Sequence, residues 1–66
     1  MSKEIKELIS QLKKEEKEYQ KLVNSYEKRG TENLDYEETE YYGAYLGKTE
    51  ILSRVIESLE KINKNQ

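Results

Sequence analysis

The chain has no cysteine, histidine, proline, tryptophan or phenylalanine, and only three glycines among its 66 residues. Without cysteine it cannot be stapled by disulfides, and without cysteine or histidine it lacks the favoured ligands of a structural zinc site. A chain this short buries only about 60% of its unfolded surface, so it needs another source of stability. Oligomerisation or very regular helix packing remains. No apolar run approaches the roughly 20 residues that cross a bilayer, and no signal-peptide pattern opens the chain, so the expected location is cytoplasmic with no membrane contact.

What the chain has in quantity is charge. Charged residues make up 39% and apolar ones 33%, a composition that also suits a disordered chain. Periodicity decides against disorder. Ile5, Leu8, Ile9, Leu12, Tyr19, Leu22, Val23 and Tyr26 recur at spacings of three and four with one gap, the pattern of an amphipathic helix over residues 3–29. Ser2 is placed to cap its start. Lys28 and Arg29 suit its last turn, and Gly30 follows where a left-handed C′ residue is wanted.

A second stripe, Tyr41, Tyr42, Tyr45, Leu52, Val55, Ile56, Leu59 and Ile62, predicts a helix over 36–63 with a gap at Lys48 and Thr49. Asp35 followed by Glu38 matches a capping box at its start. The loop 30–35 between them is short, which favours antiparallel neighbours. The expected fold is therefore all-α, a single domain over 1–66: an antiparallel two-helix hairpin. Matching the stripes pairs Leu8 with Leu59, Leu12 with Val55 and Tyr26 with Tyr41, and sets a Glu16–Lys48 contact at the level of the two gaps. Ile9, Val23, Ala44, Ile51 and Ile56 widen the stripes beyond one seam. Dimerisation into a four-helix bundle is the simplest way to cover them.

The segment Gly43-Ala-Tyr-Leu-Gly47-Lys48-Thr49 looks like a phosphate-binding loop, but it has three residues between its glycines where that motif needs four. It also lacks the strand that must precede it. The plainer reading is that Gly43 and Gly47 let another helix approach. An alternative ligand or helix-contact face is then Gly43, Gly47, Lys48, Thr49 and Arg54, with tyrosine rings stacking on a nucleotide base. No catalytic constellation is present, no cofactor is implied, and a bundle metal site of glutamates would call for histidine as well.

All six tyrosines fall in the loop half of the hairpin. Tyr36 and Tyr42 are the hardest to bury there, and tyrosine is enriched at binding hot spots. Residues 31 to 42 also carry five acids and no base, more than a helix N-terminus calls for. Tyr36, Tyr42, Glu32, Glu37, Glu38 and Glu40 therefore form the expected surface for a protein partner, one with a basic face. Nucleic acid is disfavoured as a partner: the net charge is −2, and Glu15, Glu16 and Glu18 stand among Lys13, Lys14, Lys17 and Lys21.

From Tyr41 the chain reads Tyr-x-x-x-x-x-Gly-Lys-x-Glu-Ile-Leu-x-x-Val-Ile-x-x-Leu. This stretch, about a third of the chain when continued to Ile62, resembles the final helix of small helical proteins encoded by bacteriophages. The resemblance implies an inhibitor or adaptor that binds a host protein, or an oligomer that binds a nucleotide signal. It carries no functional residue across. The function expected from the sequence is a non-enzymatic, self-associating interaction module. A small-ligand binder and a purely structural dimerisation element are the alternatives.

Overall fold

The computed structural model describes residues 2–65, of which the side chain of Ser2, and with it the expected N-cap, lies outside the described residues. Two helices, α1 (Ser2–Arg29) and α2 (Tyr36–Lys64), pack antiparallel in a hairpin 47 Å long, joined through a 3-10 turn at Thr31–Asn33. Both consist largely of strong helix formers, and α2 runs unbroken through Gly43 and Gly47.

The turn closes by specific bonds. The Asp35 carboxylate accepts from the backbone N–H of Glu38 at 2.8 Å, and the Glu38 carboxylate accepts from that of Asp35 at 3.3 Å, completing the capping box. Glu38 also receives the Arg29 guanidinium, with Nη2 to Oε1 at 3.2 Å, which ties the last turn of α1 to the first turn of α2. Gly30 has φ of +91°, as its place after the helix end predicts, but its ψ of 121° lies outside the left-handed helical well. The end of α1 is instead satisfied by Asn33, whose Nδ2 donates to the Arg29 carbonyl at 2.9 Å.

Burial follows a seven-residue repeat, with only Gly47 partly covered off it among the described helical residues. On α1 the seam positions are Ile5, Ile9, Leu12, Glu16, Tyr19, Val23 and Tyr26; on α2 they are Glu38, Tyr42, Tyr45, Thr49, Leu52, Ile56, Leu59 and Asn63. Spacing alternates between three and four throughout, which is the seam of a coiled coil. Its deepest residues are Ile9, Val23 and Ile56. These are three of the residues expected to widen the stripes outward, and they form the core instead. Leu8, Leu22, Val55 and Ile62, expected in the seam, stand 41–48% exposed beside it. The cause is polar occupancy of the seam. Glu16 and Thr49 fill the two apparent gaps, so apolar residues alone place the seam about one residue to the side.

The ring contacts shift with it. Tyr26 meets Tyr42 edge-on at 6.2 Å and stacks on Tyr45 at 6.3 Å, in place of Tyr41. The Lys48 ammonium lies 5.1 Å from the centre of the Tyr19 ring, and among the described residues no ion pair joins it to Glu16.

The three glycines should respond oppositely to alanine. At Gly30 a Cβ would lie 2.9 Å from both Asn33 Nδ2 and Glu32 Oε1, at a φ that L-residues avoid. Gly30→Ala should therefore cost about 1–2 kcal/mol. Gly43 and Gly47 have open space where a Cβ would go, and alanine in either helical position should gain about 0.5–1 kcal/mol. Urea unfolding monitored by helicity measures all three.

Candidate functional site

In a seven-residue repeat the positions next to the seam form two flanks, one on each side of the hairpin. On one flank α1 places Lys6, Lys13, Gln20 and Glu27, and α2 places Thr39, Leu46, Ser53 and Glu60. This side is polar. Lys13 Nζ meets Glu60 at 3.0 Å across it, and the Tyr42 hydroxyl donates to Glu27 at 2.8 Å. On the other flank α1 places Leu8, Glu15, Leu22 and Arg29, and α2 places Tyr41, Lys48, Val55 and Ile62. One step further out on α2 come Ala44 and Ile51, the latter 63% exposed.

The exposed apolar surface is therefore one-sided. Among the described residues six of the eight exposed large apolar ones, Leu8, Leu22, Tyr41, Ile51, Val55 and Ile62, share this second side, and Leu46 and Tyr36 lie elsewhere. Midway along it, Glu15, Tyr19, Lys48, Ile51 and Leu52 line an open hollow of about 270 Å³. Lys48 keeps its ammonium over Tyr19 there, at a level where the side also carries Glu15.

The loop end presents a second, smaller surface. Tyr36 opens α2 with 81% of its surface exposed, and Glu32, Glu37 and Glu40 are exposed around it. The other two residues expected there serve the fold. Glu38 is occupied by Arg29 and by the Asp35 backbone, which hold its carboxyl below the ordinary carboxylate range, the Arg29 hydrogen bond contributing most. Tyr42 lies in the seam against Tyr26. Its hydroxyl titrates above the usual tyrosine range, first because it donates to Glu27 and second because it is desolvated.

The residues of the alternative face do not converge. Thr49 sits in the seam and its hydroxyl donates to the Tyr45 carbonyl at 2.8 Å; Lys48 belongs to the apolar side. Gly43, Gly47 and Arg54 lie toward the outside of α2, with Arg54 paired to Glu50 at 2.7 Å. Among the described residues no group of acids is placed to hold a metal ion.

No family model, curated protein or solved structure matches the chain. Its surfaces alone guide the reading of its role. An uncovered apolar side is expected from the sequence and Ala44 and Ile51 do lie on it, but its other members differ: with Glu16 and Thr49 counted as seam positions, Leu8, Leu22, Val55 and Ile62 all fall on one flank.

The two tyrosines of the loop end should separate on mutation. Tyr36→Ala should leave stability within about 0.5 kcal/mol, whereas Tyr42→Ala should cost roughly 1–3 kcal/mol; thermal melts of both variants test the contrast. Acid provides a further test. Because the folded Glu38 carboxyl titrates below its ordinary 4.5, its contribution is complete above the unfolded value and disappears as pH falls through the folded one. Stability should fall on acidification below about pH 4.5, and Glu38→Gln should flatten that part of the pH profile.

Proposed function

We propose that the protein is a non-enzymatic, self-associating interaction module. Two hairpins bring their apolar sides together, forming a four-helix bundle. The observation that carries this reading is the one-sidedness of the exposed apolar residues, since scattered ones would need no explanation and a contiguous apolar side marks an interaction surface.

Two further facts support it. Among the described residues the hairpin buries only Ile9, Val23 and Ile56, a core too small for a chain with no disulfide staple. The side also runs along most of the 47 Å hairpin, from Leu8 and Ile62 to Leu22 and Tyr41, long enough for a standard interface of ~800 Å² on each partner. A second copy brings a side of the same outline and the same apolar character, as a two-fold interface requires.

Pairing on that side leaves the loop end open. Tyr36, with Glu32, Glu37 and Glu40, then serves as the contact for a protein partner carrying a basic face, the aromatic ring as anchor and the acids setting association rate. Tyr36 makes no hydrogen bond or ring contact within its own chain among the described residues, which is why it is the anchor chosen.

The reading is tested by sedimentation velocity and by melting at several protein concentrations. The native chain should sediment as a dimer, with a melting temperature that rises with concentration. Ile51→Lys with Val55→Lys should give a helical monomer of lower melting temperature. A native chain that stays monomeric, with a concentration-independent melt, overturns the proposal.

A further inference from the structure

The lysines of α1 are interleaved with glutamates in sequence but separated from them in space. Around α1, the flank facing away from the apolar side holds Lys6 and Lys13, and the outermost arc holds Lys14, Lys21 and Lys28, one heptad apart. Lys3 and Lys17 fall between these two rows. Two of the three glutamates that neutralise the run in sequence point elsewhere: Glu15 lines the hollow on the apolar side and Glu18 lies on the arc beyond it, while Glu16 is half-buried in the seam. A separate polar groove is lined by Lys13, Glu16, Lys17 and Gln20, which places these lysines on the side opposite Glu15.

The outward half of α1 thus carries seven lysines against two glutamates, Glu7 and Glu27. Glu27 already accepts the Tyr42 hydroxyl, and among the described residues Lys13 is the one of these lysines in an ion pair, with Glu60. On this side α2 carries Glu60 on its flank, paired with Lys13, and Glu50 and Glu57 one step further out, so the clear positive surface is the outer arc of α1. All seven lysines are exposed. The chain's net charge of −2 says little about this surface. Charges further apart than a Debye length of about 8–10 Å are largely screened, and the acids of the loop end cluster at one end of a 47 Å hairpin.

We propose that this lysine ridge of α1 is a docking surface for the phosphate backbone of duplex nucleic acid, bound without sequence preference. The ridge spans Lys3 to Lys28, about 38 Å at 1.5 Å per residue, which is close to the roughly 34–36 Å of one duplex turn. Lysine ammonium groups suit phosphate as point charges, and contacts to phosphate position a protein without reading bases. Two other anionic partners fit less well. A membrane surface calls for apolar residues beside the basic ones, and the residues between these lysines are Glu7, Ser10, Gln20, Asn24 and Glu27. A single strand calls for aromatic platforms, and no tyrosine lies on the ridge. The ridge is turned away from the apolar side, so it stays open whether or not two copies pair.

The test is fluorescence anisotropy of a labelled random-sequence duplex of about 20 base pairs, titrated with the full chain at salt concentrations from about 50 to 200 mM. Log affinity should fall linearly with log salt. Lys14→Gln, Lys17→Gln and Lys21→Gln together should reduce the slope by about 2–3, at about 0.9 per released phosphate contact, with helicity and sedimentation unchanged. Glu4→Gln with Glu18→Gln, on the far arc, should leave the slope as it is. The proposal is overturned by absence of duplex binding at the lowest salt or by a triple variant that binds like the native chain. Tighter binding to a single strand of the same length, or to phosphatidylserine vesicles, overturns it equally.

Discussion

The seam between α1 and α2 is the constraint from which the other features follow. A left-handed pair of helices keeps one line of residues facing its partner only if that line repeats every seven residues, and this chain keeps the repeat from Ile5 to Tyr26 and from Glu38 to Asn63. Holding it requires Glu16 and Thr49 at seam positions, which weakens the middle of the hairpin. Holding it also determines the direction of every other side chain. Outside the seam, Leu8, Leu22, Ile51, Val55 and Ile62 are carried to one side and the lysines of α1 to the opposite flank and outer arc, while Tyr19, Tyr26, Tyr42 and Tyr45 fill the loop half of the seam. Two different surfaces thus arise from one geometric rule.

The turn fixes where that rule starts. Glu38 has three duties within about one helical turn: it caps α2, receives Arg29 and occupies the first seam position of α2. Because a surface ion pair on its own is worth little, the capping geometry matters more than the charge. It holds Glu38 where Arg29 reaches it, and the pair then sets the register between the helices. Register in turn decides that Tyr26 meets Tyr42 and Tyr45. A slip by one residue would bring Tyr41 inward and carry Tyr42 out.

Local features were legible in the sequence and lateral ones were not. The capping box, the positive φ of Gly30 and the ends of both helices within a residue or two follow from residues adjacent to one another, where the chemistry is short-range. The direction of the seam depends on positions far apart along the chain, and there hydropathy misleads. A glutamate at position 16 reads as a gap although it continues the repeat. For the same reason Ile9, Val23 and Ile56 read as outward while Leu8 and Val55 read as inward. The lysine run misleads differently, since residues adjacent in sequence stand about 100° apart around a helix and need not neutralise one another. At the loop end Tyr36 and the acids Glu32, Glu37 and Glu40 lie where the sequence suggests. Tyr42 and Glu38 could not be assigned without knowing which neighbours across the turn would claim them.

The tyrosines carry a consequence of a different kind. Tyr19, Tyr26, Tyr41, Tyr42 and Tyr45 form a chain of rings with centres 5.7 to 6.3 Å apart that crosses from α1 to α2, in a protein with no tryptophan to mask them. At such spacing an absorbed photon hops between identical phenols before it is emitted, and each hop erases some memory of the exciting polarisation. Parting of the helices removes the cross-strand hops through Tyr19 and Tyr26 while leaving those along α2 largely intact. The depolarisation of its own ultraviolet emission is therefore a built-in gauge of whether the hairpin is closed.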